Sequence, residues 1–173
     1  RLRFGFTAVM TDDFEVGFRL ASGDDSGASV DPISTNTTLQ NNGSKKPVSI
    51  DLAYAKWSPL HQNGFSGSFT AGKMENPFVF SDMIFDNDYT PEGLSQQFGY
   101  NLSHKGDTSH DLKLNLGEFV LDEIGASSKD PYLLGAQMRI ESKWNKKIST
   151  SAGVSASPWR KRCCASSTIR WVR

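Results

Sequence analysis

The chain has 173 residues, with 19 basic and 19 acidic side chains and a formal net charge of zero. That length is sufficient for one domain with a sizeable core, and the neutral balance gives no reason to expect nucleic acid as a partner. No run of about 18 apolar residues is present, which excludes a transmembrane helix but not strands that cross a membrane.

Apolar residues alternate with polar or small ones in the first two runs, "RLRFGFTAVM" and "DDFEVGFRLASG". Side chains of a strand point alternately to its two faces, so each run predicts a strand with one apolar face. The predicted apolar face contains Leu2, Phe4, Phe6, Phe14, Val16, Phe18 and Leu20. The opposite face carries Arg1, Arg3, Glu15 and Arg19.

Six further runs continue the period of two, at 48–57, 65–74, 94–103, 111–119, 132–144 and 148–156. The third run places Ile50, Leu52 and Tyr54 opposite Asp51. The end of the sixth run is less regular, which indicates a bulge there. About eight strands of roughly 9–11 residues are predicted, which is the length that crosses a bilayer at a tilt. No helical period competes with this pattern.

The predicted connections alternate between short and long along the chain. Outer-membrane barrels place tight turns at one rim and long loops at the other, whereas β-sandwiches do not sort their loops in this way. We therefore predict an all-β, antiparallel, up-and-down transmembrane β-barrel of which about eight strands are present. The alternative is a soluble β-sandwich that acts as a carbohydrate-binding-like module.

The alternation assigns charged side chains to the wall of a water-filled lumen, where they set ion preference or pair across strands as a scaffold. The predicted pore-lining residues are Arg1, Arg3, Glu15, Arg19, Asp51, Lys113, Arg139, Glu141 and Lys143. The predicted lipid-facing residues are Leu2, Phe4, Phe6, Phe14, Val16, Phe18, Leu20, Ile50 and Leu52. Aromatic residues near strand ends are candidates for interfacial girdles, namely Phe14, Tyr54, Phe65, Tyr100, Tyr132 and Trp144. One long loop is expected to fold inward and narrow the pore.

The stretches "RLRFGFTAVMTDDFEVGFRLASGD", "PISTNTTLQNNGSKKPVSIDLAYAKW", "TAGKMENPF" and "FDNDYTPEGLSQQF" resemble the putative porins of Gram-negative-type bacteria, a family of outer-membrane β-barrels. The quoted stretches cover roughly residues 1–103, and the strand rhythm continues to about 157. The resemblance implies a barrel with more strands than this chain contains, so we interpret the chain as a fragment. It also implies an outer-membrane location, with membrane lipid and small hydrophilic solutes as partners. Trimers are common among porins, and a homotrimer is expected on that analogy.

Asp86, Asp88 and Glu92 in "MIFDNDYTPEG" could supply oxygen ligands to calcium, but the EF-hand spacing is absent. We predict a turn-rich loop held by Asx bonds, no metal and no cofactor. The histidines are not accompanied by a serine or cysteine that could act as a nucleophile, so no enzyme activity is expected.

Residues 1–157 form the predicted barrel segment. Residues 158–173 contain five basic and no acidic residues, together with both cysteines, and we interpret this atypical basic tail as an artefact of a frameshifted end. The other reading of the tail is a nucleic-acid or membrane-surface arm.

Taken together, these features predict an outer-membrane porin for passive diffusion of ions and small hydrophilic solutes.

Overall fold

The structure is a computed structural model that describes residues 2–22, 43, 45, 47–81, 86, 88–123, 130–157, 159–161, 164–166 and 169–172. Within these residues the chain forms a single antiparallel sheet without helices, which confirms the predicted all-β, up-and-down class. Its eight long strands follow one another in chain order. They are β1 (Arg3–Val9), β2 (Phe14–Ser22), β3 (Val48–Gln62), β4 (Phe65–Lys73), β5 (Glu92–Lys105), β6 (Thr108–Val120), β7 (Tyr132–Lys143) and β8 (Ser149–Ala156).

Three short strands follow in the basic tail, of which only the backbone is described. They are β9 (Trp159–Lys161), β10 (Cys164–Ser166) and β11 (Ile169–Val172). Strand β9 pairs with β7 and β10, and β11 pairs with β8. The sheet is open, because β1 pairs with β2 alone. This arrangement is consistent with part of a β-barrel wall.

Short and long connections alternate as predicted. Turns of a few residues join β1 to β2, β3 to β4, β5 to β6 and β7 to β8. In contrast, 18 or more residues separate β2 from β3 and β4 from β5, and 11 residues separate β6 from β7. In the β3–β4 turn, Asn63 and Gly64 have φ values of 51° and 77°. Two successive positive φ values are typical of a type I′ turn, which matches the twist of the strands that it joins. The turn is shorter than the sequence predicted, because β3 continues to Gln62.

Strand β3 extends past Pro59 because the register shifts there. Trp57 pairs with Phe69 and Leu60 with Gly67, so two residues of β3 face one residue of β4. Such a bulge accommodates proline, which has no N–H for the ladder. A second bulge lies beside Asp51, and a third lies between Asn101 and Ser103 of β5. Strand β6 pairs with β7 without a shift, so the bulge predicted at its end was wrong.

The two faces of the sheet differ sharply in chemistry. Residues directly opposite each other in a ladder share a face, so the pairs Phe6–Phe18 and Leu114–Met138 lie on one face, called the apolar face below. The pairs Gly5–Arg19 and Lys113–Arg139 lie on the other, called the charged face. Residues 74–81, here the inward segment, leave the end of β4 and pack on the charged face. The small core of Met74, Phe78 and Phe119 lies beneath this segment.

All described strands belong to one sheet, and in the described part of the chain no second sheet covers the apolar face. The β-sandwich alternative is therefore wrong for this part of the chain, because a sandwich packs two sheets face to face.

Candidate functional site

The charged face collects the predicted pore-lining residues that the structure describes. Glu15 and Arg19 lie on β2. The strand register from β2 to β7 places Lys113 of β6 and Arg139 of β7 on the same face of the sheet as these two residues. Glu141 and Lys143 follow Arg139 on the same face of β7, and Arg3 lies there on β1. Arg1 lies outside the described residues. Whether these side chains line a pore stays a prediction.

One ion-pair cluster surrounds Asp51, whose side chain is almost completely buried. Arg19 Nε lies 2.6 Å from Asp51 Oδ2, and Arg3 Nε lies 3.1 Å from the same oxygen. Arg19 also contacts the inward segment, where its Nη1 lies 3.0 Å from Glu75 Oε1. A carboxylate held by two guanidinium groups keeps its charge in place despite burial. The cluster therefore joins three neighbouring strands to the inward segment.

A second cluster surrounds Glu141 on β7. Lys113 Nζ lies 2.6 Å from Glu141 Oε2, and Arg139 pairs with the other carboxylate oxygen. Elsewhere on the charged face, the Tyr54 hydroxyl donates a 2.8 Å hydrogen bond to Glu15 Oε1. Six of the predicted charges thus form ion pairs within or between strands, as the scaffold interpretation requires. Pairing leaves the net charge of the face available to act on ions.

The inward segment is tethered to the far side of the charged face by hydrogen bonds from two buried amides. Asn115 Nδ2 donates to the Pro77 carbonyl at 2.6 Å. Gln137 accepts from the Val79 N–H at 3.0 Å and donates to the Val79 carbonyl at 2.9 Å. Side chains that satisfy backbone groups hold an irregular segment in one conformation. Residues 74–81 of one long loop thus pack on the charged face, and whether this loop narrows a pore stays a prediction.

Phe78 anchors the same segment by packing. Its ring contacts the Phe119 ring edge to face, with centroids 6.0 Å apart. An added Cβ at Gly135 would collide with the Phe78 ring, and one at Gly117 would collide first with the Phe119 ring. These two glycines are register partners on β6 and β7, so together they leave a recess in which the Phe78 and Phe119 rings pack. The irregular end of the sixth run has its explanation here, because Phe119 faces inward to meet Phe78.

Neither the recess nor its occupant was identified from the sequence. Two signals were present: Phe119 breaks the alternation of small and apolar residues, and Gly117 and Gly135 each interrupt a strand. Neither signal named Phe78, because the contact depends on how an irregular segment crosses the sheet.

The apolar face holds most of the predicted lipid-facing residues and exposes them. Leu2 is 69% exposed, Phe4 71%, Phe6 58% and Ile50 54%. The four apolar residues of β2, from Phe14 to Leu20, lie on the same face and are half-buried by their neighbours. This face therefore offers a broad apolar surface, and an extended exposed apolar patch usually marks a contact with another protein or a membrane.

Leu52 is a correction to the predicted lipid face. It pairs with Arg19 on the charged face and is only 6% exposed. The cause is the bulge at Asp51, since two consecutive residues of a bulge oppose one residue of the partner strand and the alternation beyond it is inverted. Tyr54 follows Leu52 onto the charged face, so its assignment to an interfacial girdle was also wrong.

Aromatic residues cluster on the apolar face near the short turns. Trp57 packs against Phe69, Phe69 against Phe98, and Phe98 against Phe65, with ring centroids 5.9–6.1 Å apart. Beside the last turn, Trp144 contacts His110 and donates its indole N–H to Thr150 Oγ1 at 3.0 Å. The amphipathic rings of Trp57 and Trp144 are typical of a membrane–water boundary, whereas the three phenylalanines are wholly apolar.

The predicted metal candidates Asp86, Asp88 and Glu92 are all among the described residues. Among the described residues, no group of three or more His, Cys, Asp or Glu side chains is placed to hold a metal ion. The Asp88 N–H donates to Asp86 Oδ1 at 2.8 Å, which is the predicted Asx bond. Glu92 accepts from Lys73 Nζ at 3.0 Å at the start of β5. Nearby, burial and then the Glu92 charge raise the pKa of Tyr89 above its ordinary value.

Within the described residues the chain has no helix that could cross a membrane.

Comparisons with known proteins agree with the resemblance noted in the sequence. No curated protein and no solved structure gives a significant match. A model of the family described as "Putative porin" matches residues 1–163, which is most of the chain. The chain therefore belongs to the putative porin family.

Proposed function

We propose that this sheet is part of the wall of an outer-membrane porin. The apolar face contacts membrane lipid, and the charged face lines a water-filled channel through which ions and small hydrophilic solutes diffuse passively. Transport of this kind includes no catalytic step and requires no cofactor. Further strands, or further copies of the chain, close the barrel beyond the free edge of β1.

The observation that carries this proposal is the inverted burial of the sheet. Polar side chains such as Thr70, Ser95 and Asn115 are buried on the charged face, whereas Phe4 and Phe6 are largely exposed on the other. In water this arrangement is unfavourable, because each Å² of apolar surface that stays exposed forgoes about 25 cal/mol of stabilisation. In a bilayer the same arrangement is favourable, because apolar side chains meet lipid and polar ones meet the lumen.

The inward segment supports a channel of restricted width. It is held against β2 by Glu75 and against β6 and β7 by two amide side chains, so it crosses much of the charged face. A segment fixed inside a barrel reduces the open cross-section and brings its own charges close to a passing solute.

The alternation of connections supports an orientation in which short turns are periplasmic and long loops extracellular. Segments 23–46 and 75–92 are then extracellular, and 11–13, 104–109 and 144–147 are periplasmic. An epitope inserted after Ser26, which lies outside the described residues, should be labelled on intact cells. One inserted after Asp107 should not be labelled, and the reverse labelling would contradict the orientation.

Conduction in planar lipid bilayers tests the function directly. The full-length protein should produce ohmic single-channel steps that increase with salt concentration, because ions cross a wide lumen largely hydrated. It should remain folded in detergent and precipitate without it, and chemical cross-linking in detergent should reveal the expected trimer. A pure, folded, membrane-inserted protein that never conducts would overturn the proposal.

A further inference from the structure

A cavity of about 430 Å³ lies on the charged face between the inward segment and strands β3 to β7; we call it the basin. Three cationic side chains line it: Lys56 on β3, Lys113 on β6 and Arg139 on β7. Among the described residues that line the basin there is no Asp or Glu. Cations on three strands of one concavity reinforce one another at its centre.

The carboxylates nearest the basin lie outside its lining. Glu141 pairs with both Lys113 and Arg139, so one negative charge serves two positive ones. Asp111, the register partner of Glu141, accepts a hydrogen bond from Asn101. Glu15 is the register partner of Lys56 and accepts a hydrogen bond from the Tyr54 hydroxyl. Lys56 forms no ion pair with a described residue. The positive character of the basin therefore comes from its lining, and above all from Lys56.

Asp13 also approaches the lining, with Oδ2 3.8 Å from His61 Nε2, but it belongs to the β1–β2 turn. Both of these side chains are more than half exposed, so this contact is screened by solvent.

The basin also contains hydrogen-bond donors that lack acceptors. Arg139 Nε and Asn76 Nδ2 are buried, and neither has a partner within the described structure. Both residues line the basin, where the hydroxyls of Ser66 and Ser68 and the amide of Asn115 also lie. Nearly all buried N–H groups of proteins are satisfied by protein or by ordered water, so an oxygen atom of a solute or of water in the basin would complete the bonding of these donors. A negatively charged oxygen is the strongest acceptor available to a guanidinium group.

We propose that the basin is a binding subsite for the oxyanion group, phosphate or carboxylate, of a small solute in the channel. Its volume exceeds that of the anionic group alone and leaves room for the remainder of a small molecule. Arg139 and Lys56 supply charge from opposite sides of the basin, and Asn76 brings a donor from the inward segment. This inference rests on the proposed function in one respect: the channel is the route by which the solute reaches the basin.

Isothermal titration calorimetry on the folded full-length protein in detergent tests this subsite without requiring conduction. Inorganic phosphate and succinate should bind, and glucose, which is neutral, should not. The Lys56→Gln variant should bind phosphate roughly tenfold more weakly, which corresponds to one lost charge-assisted hydrogen bond. The Lys146→Gln variant removes an equal charge from an exposed turn and should bind phosphate as the unaltered protein does.

Two results would overturn the subsite: phosphate binding no tighter than glucose binding, or equal phosphate affinity in the Lys56→Gln and unaltered proteins. Binding of phosphate but not succinate would assign the site to phosphate groups, and the reverse would assign it to carboxylates. A bilayer measurement separates this inference from the porin proposal. A protein that conducts but is not blocked by phosphate or succinate lacks the subsite and remains a porin. A protein that binds the anion but never conducts has the subsite and is not a porin.

Discussion

Phe78 should decide whether the inward segment stays on the charged face. Its side chain is 8% exposed and packs on Phe119 over two glycines. Burial of a phenylalanine side chain contributes about 1.5–3 kcal/mol, and an edge-to-face aromatic pair adds about 0.5–1.5 kcal/mol. The Phe78→Ala substitution should therefore lower the free energy of opening the segment by about 3 kcal/mol, which increases the open population roughly 150-fold.

Amide hydrogen exchange of residues 74–81 measures this opening. Exchange at the Val79 N–H, which is bonded to Gln137, should accelerate by roughly that factor in the Phe78→Ala protein. Val79→Ala is the matched control, because the Val79 side chain is 51% exposed and contributes little to the tether. Strand content should be unchanged in both variants by circular dichroism. If the two variants exchange at the same rate, the recess does not anchor the segment.

Three further predictions follow from other parts of the sheet. Phe6→Arg and Phe18→Arg should prevent accumulation of folded protein in outer-membrane fractions, since Arg on a lipid face costs about 2–4 kcal/mol, whereas Arg19→Phe should be better tolerated; equal assembly of all three would refute the face assignment. Asp51→Ala should reduce stability against guanidinium by about 3 kcal/mol, because it leaves Arg3 and Arg19 without their shared carboxylate, and an unchanged midpoint would contradict this. Because the pKa of Tyr89 is raised in the folded protein, its neutral hydroxyl contributes fully to the stability of the loop below the ordinary pKa of 10.0, and this stability is lost as pH rises through the raised pKa. The Tyr89→Phe substitution should remove this loss of stability at alkaline pH, as measured by hydrogen exchange of the loop across a pH series.

The sequence predicted the strands and the sorting of their connections because both depend on local chemistry. Alternation follows directly from strand geometry, and tight turns are marked by residues such as Asn63 and Gly64 that adopt positive φ. The charged residues of β2, β6 and β7 were assigned correctly to one face because the extra residues of the bulges lie in β3 and β5, so the alternation within β2, β6 and β7 is uninterrupted. Once the face of one residue is known, alternation gives the face of every other side chain in that strand, and no knowledge of the rest of the fold is needed.

That rule fails wherever the register shifts, and β3 demonstrates why the failure could not be anticipated. The bulge lies at Asp51, whose buried carboxylate is held by Arg3 and Arg19 from two other strands. A residue with two such partners favours an extra position in its strand, because the bulge lets Asp51 and Leu52 both turn toward the charged face. The stabilisation thus comes from contacts 32 and 48 residues away along the chain, which no local pattern contains. The position of the inward segment also depends on distant contacts, because Phe78 packs in a recess between β6 and β7, which come later in the chain. A side chain held by distant strands, rather than by its neighbours in sequence, is therefore the common cause of the inverted face after Asp51 and of the recess that the sequence did not reveal.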